Sequence, residues 1–239
     1  MADYPSVPVE TPASAAANEP DILTSRTTTV SALVSSPIAD PGPLGLAGFA
    51  MTTVLLSLVN AKIIGGSALN AVLPLALLYG GAIQLLAGMW EFRNRNTFGA
   101  LAFSSYGAFW ISYYVFARWW LPTTSGGAND AAGFFLLMWG IFTLYMLIAS
   151  FGTNVALVLV FTTLTAAFFL LAAGNLDAST GITQAGGVVG LICGILAWYT
   201  SFAGVTNATW KRTVLPVFPF SRAPGAAAHS ASTGNGRAA

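Results

Sequence analysis

The sequence predicts an all-α, polytopic membrane protein with six transmembrane helices, and three observations support that fold class. The 239 residues are 55% hydrophobic and only 7% charged, with a mean hydropathy of +0.71, which is not the composition of a soluble domain. Asp, Glu, Lys and Arg are absent from the long stretches 63–90, 131–176 and 178–210. Each stretch can hold a helix that crosses a hydrocarbon layer of about 30 Å, which takes about 20 apolar residues. These segments lack the alternation of barrel strands, so the spans are predicted to be helical.

The six spans follow one another between two polar tails. The first, 44–60, comes directly after Asp40, Pro41 and Pro43, which suit a helix cap and the turn into a helix. The second, 68–90, contains Pro74, which predicts a kink or a later start. The others cover 98–117, 133–151, 155–174 and 182–204. Residues 1–39 and 216–239, rich in Ala, Ser and Pro, are predicted to be disordered tails around a membrane domain at 40–215.

The distribution of Lys and Arg predicts the orientation in the cell membrane. Five of them follow the second and sixth spans, against two on the opposite side (Arg93, Arg95, Lys211, Arg212 and Arg222 against Lys62 and Arg118). The positive-inside rule therefore places both termini in the cytoplasm. Four tryptophans flank spans as an interfacial aromatic belt requires: Trp90, Trp119, Trp120 and Trp210.

Two sets of glycines predict close helix packing within the bilayer. Gly186, Gly190 and Gly194 recur every four residues and leave one face of the sixth span bare. The second span carries a comparable set, Gly80, Gly81 and Gly88. A bare face lets another backbone approach, so helix packing is favoured here over contact with a substrate.

The chain offers little that could carry catalysis or hold a cofactor. Cys193 lies in an apolar run and His229 in an Ala/Ser/Gly tail, so we expect neither an enzyme nor a metal site. The net charge of +1 gives no reason to expect a nucleic acid partner. Glu91 lies at the edge of a span, where an acid can serve proton coupling. Its neighbours Arg93 and Arg95 favour instead a charge cluster at the membrane surface.

Uncharged polar residues enter the spans, among them Thr52, Thr53, Gln84, Ser105 and Asn175. Many such groups only form hydrogen bonds between helices. A path lined by hydroxyls, amides and aromatic rings also suits a small solute, because passage requires sites that are favourable enough to enter and weak enough to leave.

Several stretches together resemble the acetate uptake transporter family, also called succinate–acetate permeases. Residues 40–46 (DPGPLGL) are similar to the family signature Asn-Pro-Ala-Pro-Leu-Gly-Leu. The other stretches that carry the resemblance are 48–53 (GFAMTT), 79–84 (YGGAIQ), 96–99 (NTFG), 103–110 (FSSYGAFW), 139–144 (WGIFTL) and 174–175 (GN). They lie in the order and at the spacing that six spans require.

The resemblance implies a six-helix protomer in a ring-like hexamer, in which each protomer has its own narrow path for acetate or a similar small carboxylate. Whether transport along that path is channel-like or coupled to protons stays open. It implies a constriction made by a Phe, a Tyr and a Leu, which correspond to Phe49, Tyr106 and Leu164 here. Pro43 and Leu44 belong to the signature at the mouth of that path. A phenol as deep in a span as that of Tyr106 also needs a polar partner.

The signature is altered at two positions, since Asp40 replaces Asn and Gly42 replaces Ala. A carboxylate at the mouth repels an anionic substrate. Asp40 therefore either points away from the path or changes selectivity or pH dependence.

Three functions remain open, in this order. The first is transport of small carboxylates, whose anion cannot enter an apolar constriction unaided. Hydroxyls and the helix N-terminus near Leu44 would replace water, and the proton could travel on the substrate as the neutral acid. The second is a channel for a small neutral solute such as urea, a short amide or ammonia. The third is a membrane sensor or scaffold that acts through its tails without transporting.

Overall fold

A computed structural model describes residues 38–123 and 126–220, and over these residues the chain is helical, with one isolated bridge between Asn154 and Pro219. The α-helices are α1 (Gly42–Asn60), α2 (Leu69–Leu77), α3 (Gln84–Arg93), α4 (Thr97–Val115), α5 (Ala128–Ser150), α6 (Val155–Leu176) and α7 (Thr180–Trp210). The all-α prediction is confirmed for this part of the chain. Most of the two predicted tails lies outside the described residues.

Five helical runs in the described part are long and apolar enough to cross a membrane: Gly42–Asn60, Gly66–Arg93, Ala128–Ser150, Val155–Leu176 and Thr180–Trp210. Helix α4 occupies the place of the third predicted span but is not one of the five. It is 19 residues long, and its hydropathy is lowered by Ser104, Ser105, Tyr106, Ser112, Tyr113 and Tyr114.

The run from Gly66 to Arg93 is not a uniform helix. A short 3₁₀ turn leads into α2, and Pro74 lies inside that helix. Pro74 therefore does not delay the start. The departure from α geometry comes just after it, in the π-helical segment Leu78–Ile83 that joins α2 to α3. Such a segment leaves no break in the run, so one continuous helical path carries the predicted second span.

Short connections reverse the chain between neighbouring helices. Three of the helix starts are capped by side chains: Asn96 accepts from Gly99 N–H at 3.1 Å, Asn154 from Leu157 N–H at 2.9 Å and Ser179 from Ile182 N–H at 3.4 Å. These caps satisfy amides that have no partner within the helix. The connections that they close hold only a few residues, so α3 with α4, α5 with α6 and α6 with α7 form helical hairpins.

Glycines allow α7 to pack closely on two other helices. A Cβ atom on Gly190 would lie 2.5 Å from the Ser57 hydroxyl oxygen of α1, and one on Gly186 would lie 2.9 Å from Cγ of Leu171 in α6. Gly194 faces α1 in the same way. The stripe on α7 therefore lies in helix contacts, and Gly190 also lines a cavity that is described below.

The glycines of the second run also lie in helix contacts. A Cβ on Gly80, in the π-helical segment, would lie 2.5 Å from the Thr52 hydroxyl of α1. One on Gly81 would meet the Ala76 carbonyl, and one on Gly88 would meet Ser104 of α4. Since Gly80 and Gly81 are both buried, this segment brings the second run close to its neighbours.

Residues 211–220 form a C-terminal strap that is bound to the helices. The Asn207 amide of α7 accepts from the backbone N–H groups of residues 214 and 215 at 2.7 and 3.0 Å and donates to the residue 215 carbonyl at 2.8 Å. Further along, the strap pairs with the start of α6, where Val155 N–H donates to Phe218 O at 3.1 Å. Residues 216–220, the described part of the predicted C-terminal tail, are thus hydrogen-bonded to the bundle.

Candidate functional site

Two internal cavities lie within the helix bundle. Cavity I has a volume of about 250 Å³, and its lining includes Asp40, Pro43, Phe49, Gln84, Glu91, Asn96, Tyr106, Asn154, Leu164, Asn207 and Val217. Cavity II has a volume of about 220 Å³, and its lining includes Phe49, Thr53, Ser57, Asn60, Trp110, Leu164, Asn175 and Thr183. Both linings mix apolar side chains with a few amides and hydroxyls, which suits a small solute.

Phe49 of α1 and Leu164 of α6 line both cavities. Their side chains are 4% and 6% exposed, so the boundary between the cavities is apolar and well packed. Tyr106 of α4 lines cavity I, and its ring centroid lies 5.8 Å from that of Phe49. The structure therefore brings together the three residues that the resemblance assigned to the constriction.

The polar partner of Tyr106 is Thr143 of α5. The Tyr106 hydroxyl donates to the Thr143 hydroxyl oxygen at 3.0 Å, and Thr143 in turn donates to the Trp139 carbonyl at 2.7 Å. The Tyr106 ring also packs edge-on against Phe142, with centroids 5.4 Å apart. Hydrogen bond and ring contacts together fix the phenol in one orientation, so its ring presents a fixed wall to cavity I.

Glu91 is buried, and this corrects the interpretation of a charge cluster at the surface. It is 1% exposed and lines cavity I, whereas Arg93 and Arg95 are exposed. Its Oε2 atom has no hydrogen-bond partner in the described part of the chain. Seven residues earlier on the same helix, Gln84 is also 1% exposed, with its Oε1 unpartnered. Cavity I is therefore lined by buried acceptor oxygens.

Cavity II has its own polar groups. The Thr53 hydroxyl and the Trp110 indole N–H are buried without a hydrogen-bond partner in the described part of the chain. Asn175 lines this cavity and donates to the Leu171 carbonyl at 2.8 Å. Trp110 supplies a donor only, and together with the Thr53 hydroxyl it offers hydrogen bonds that a carboxylate oxygen or a water can accept.

Three residues proposed for the substrate path line neither cavity. Thr52 is fully buried, and its hydroxyl donates to the Gly48 carbonyl at 2.9 Å within α1. Leu44 is 44% exposed and faces outward, and Ser105 is absent from both linings. A hydroxyl that bonds back to its own helix is satisfied without a ligand, which the sequence pattern does not reveal.

The helix N-terminus near Leu44 has no free amide to offer to an anion. Gly42 N–H donates to Asp40 Oδ1 at 2.9 Å, and the N–H groups of Leu44 and Gly45 both donate to the Pro41 carbonyl at 3.1 Å. Asp40 thus binds the first amide of α1, although the residue at the N-cap position is Pro41. The same bonds remove the predicted role of this terminus as a direct anion site.

Sequence reasoning missed the asparagines at the cavity ends. Asn154 and Asn207 line cavity I and Asn60 lines cavity II. Each lies at or near a helix end, where Asn is common as a cap. A capping role alone accounts for an Asn at such a place, so the sequence gives no reason to expect it to line a cavity. No sequence signal separates a capping Asn from one that also faces a cavity.

The fold and the site define a class: a polytopic helical membrane protein with two adjoining cavities, each mainly apolar with a few polar groups, that share an apolar boundary. The sequence profile of the GPR1/FUN34/yaaH family matches residues 24–222, and the chain belongs to this family. The family predicted from the sequence motifs is thereby confirmed.

Named relatives and a solved structure agree with that class. The succinate-acetate/proton symporter SatP of Escherichia coli K12 is 41% identical over 186 residues, which cover 75% of this chain and 95% of the relative. The ammonia transport outward protein 2 of Saccharomyces cerevisiae is 38% identical over 188 residues, 76% of this chain and 66% of the relative. The matched region thus spans just under two thirds of the yeast protein. The structure of the bacterial acetate channel SatP superposes with a TM-score of 0.69 at 39% identity and covers 75% of this chain and 99% of that one.

Proposed function

We propose that the protein transports acetate and related small monocarboxylates, succinate among them, along the path through cavities I and II. The observation that carries this proposal is the boundary between the cavities, where Phe49 and Leu164 line both sides and Tyr106 is held beside them. The relatives named as a symporter and a channel for acetate support the choice of substrate.

In this proposal the substrate moves between weak, neutral sites. Gln84 and the rim asparagines of cavity I, and Thr53, Trp110 and Asn175 of cavity II, replace part of its hydration shell. Removing water from a carboxylate at the apolar boundary costs free energy. Because the boundary is short, the substrate lacks hydration over only a small part of the path. The proton travels on the substrate as the neutral acid or by way of Glu91, the buried acid of cavity I.

The proposed assembly has six spans per protomer, with α4 as the third, and forms a ring-like homo-hexamer in the lipid bilayer. Helix α4 packs between other helices, which lets it span with a lower hydropathy than a lipid-facing helix. The membrane domain then runs from residue 40 to the end of the strap, with the two tails outside it. Both termini lie in the cytoplasm in this arrangement, so cavity I, next to Arg93 and Arg95, opens on the cytoplasmic side of the plasma membrane.

A second candidate is a channel for a small neutral solute, ammonia above all. Two observations favour it: the side chains lining cavity II are uncharged, and a yeast relative is named for ammonia transport. A sensor or scaffold that works through its tails ranks third, and deletion of residues 1–38 without loss of flux would count against it.

The deciding experiment is uptake of labelled acetate into liposomes that contain the purified protein. Unlabelled acetate, lactate, succinate and urea are added in turn as competitors, and empty liposomes give the background for diffusion of acetic acid. We expect saturable uptake that carboxylates inhibit and urea does not. Uptake no faster than in empty liposomes would refute carboxylate transport, and protein-dependent ammonia flux alone would establish the second candidate.

A further inference from the structure

Two carboxyl groups lie at the same end of cavity I. Asp40 precedes α1 and Glu91 lies near the end of α3, and both line the cavity. A Cβ atom on Gly42 would lie 3.0 Å from Asp40 Oδ1 and 3.6 Å from Glu91 Oε1. The two oxygens are therefore within about 7 Å of each other, close enough for two negative charges to repel.

The Glu91 carboxyl has only partial support from its surroundings. Its Oε2 is buried without a hydrogen-bond partner in the described part of the chain. Its Oε1 adjoins the Asn96 amide, since a Cβ on Gly99 would lie 2.8 Å from that oxygen and 2.6 Å from Asn96 Nδ2. The Asn94 side chain also forms a hydrogen bond with Glu91. Two neutral amides offset only part of a buried negative charge, so the pair calls for a positive charge or a proton.

Among residues 38–123 and 126–220, no cationic side chain lines cavity I. Its titratable groups are Asp40, Glu91 and Tyr106. The elements packed around the pair add none, because α4, α6, α7 and strap residues 213–220 contain no Asp, Glu, Lys, Arg or His. The basic residues nearest in sequence lie outside the lining: Arg93, Arg95, Lys211 and Arg212.

We propose that Asp40 and Glu91 form a proton-controlled entrance to cavity I. This rests on the proposed function and adds a selectivity element to it. With both groups ionised, their charge repels carboxylates from the mouth. One proton taken up from solution by the pair leaves a single negative charge at the mouth, and the anion is then repelled less.

Asp40 is one of the two positions at which residues 40–46 differ from the signature that they resemble. The signature that 40–46 resembles has Asn at this position, which leaves a single carboxyl at the mouth. An Asn at position 40 retains an amide oxygen that can accept from Gly42 N–H, the bond that Asp40 Oδ1 makes at 2.9 Å. Asp40→Asn therefore removes the charge while it preserves the start of α1.

The test compares initial acetate uptake by the wild type and by Asp40→Asn at about pH 3, where ordinary Asp and Glu side chains are mostly protonated, and at about pH 8. Ionisation of the substrate is the same for both proteins, so it cancels in the ratio of their rates. Asp177→Asn serves as the matched control, because it removes one exposed carboxylate just beyond the opposite end of α6.

We expect the ratio of Asp40→Asn to wild type to be near unity at the lower pH. At the higher pH it should be about threefold or more, the effect of one solvent-screened charge on an anion that passes within about 7 Å of it. The Asp177→Asn ratio should not change with pH. A ratio for Asp40→Asn that is equal at both pH values, or an equal change in the control, would overturn the proposal.

Infrared difference spectra taken between the same two pH values test the shared proton without any transport. The carbonyl band of a protonated carboxyl should be present in the wild type and reduced in both Asp40→Asn and Glu91→Gln. If neither substitution alters that band, the shared proton is refuted whatever the flux. If the band behaves as expected while uptake equals that of empty liposomes, the proposed substrate is wrong and the carboxyl pair stands.

Discussion

Replacement of Phe49 by Ala should relax the size selectivity of the path more than any other single change. The Phe49 ring lies between the two cavities, is 4% exposed and packs 5.8 Å, centroid to centroid, from the Tyr106 ring. Its removal joins cavities of about 250 and about 220 Å³. Of the two residues that line both cavities, only Leu164 then remains at the boundary. A wider boundary admits larger carboxylates.

The expected magnitude follows from how steeply an apolar pocket discriminates by size. One methylene group more or less is worth about 1–3 kcal/mol in such a pocket, or about 10- to 200-fold in rate. If the Phe49 ring sets that discrimination, the rate ratio of propionate to acetate should rise by about tenfold or more in Phe49→Ala. The substitution also removes buried contacts, which in soluble cores costs about 3–5 kcal/mol of stability.

The assay is uptake of labelled propionate and acetate by the same liposome preparation, with the amount of folded protein fixed by size-exclusion profile and helical circular dichroism. A ratio of two substrates in one sample is independent of how much protein is active. Phe134→Ala is the control, because this ring is 56% exposed on α5 and lines neither cavity. An unchanged ratio in folded Phe49→Ala would refute the assignment of the boundary as the selective element.

Three further substitutions test the supports of the path. Tyr106→Phe keeps the ring and removes the 3.0 Å hydrogen bond to Thr143. Because such bonds average about 0.6 kcal/mol in membranes, acetate uptake should fall less than about threefold. A much larger loss would mean that the hydroxyl contacts the substrate. Gly187→Ala places a Cβ against the backbone of α1 and should cost about 1–3 kcal/mol in an SDS unfolding titration, whereas Gly181→Ala, with no atom within 4 Å, should cost nothing. Asn207→Ala removes three hydrogen bonds to the strap. It should speed deuterium exchange of the backbone amides of residues 214 and 215 by about tenfold. Unchanged exchange would show that other contacts hold the strap.

The sequence predicted the helices because their signals are local. Charge-free stretches of sufficient length and glycines every four residues each report on one segment alone. The bounds of α1 and α6 agree with the predictions to within two residues. The ends of the helices were harder to predict than their presence. Helix α7 continues to Trp210, six residues past the predicted end of the sixth span, because the residues near its end give no stop signal before Lys211.

The sequence was informative about the surroundings of a side chain where the residue type dictates them, and uninformative where a neighbouring helix decides them. Gln84 and Tyr106 are large polar groups inside spans and had to face partners or a cavity. Thr52 and Thr53 are adjacent and identical, yet the Thr52 hydroxyl bonds back to the Gly48 carbonyl. The Thr53 hydroxyl lines cavity II and has no hydrogen-bond partner among the residues that the structure describes. Successive helical positions point about 100° apart, so neighbours in the chain have different surroundings.

By itself, the sequence determined that this is a helical membrane protein of its family, because composition, hydropathy and linear motifs do not depend on how the helices are arranged. Only the tertiary structure decided that Glu91 is buried beside Asp40 and that Phe49 and Leu164 line both cavities. The physical reason is that burial and charge proximity arise from atoms on different helices, and their relative positions are set by packing rather than by separation along the chain.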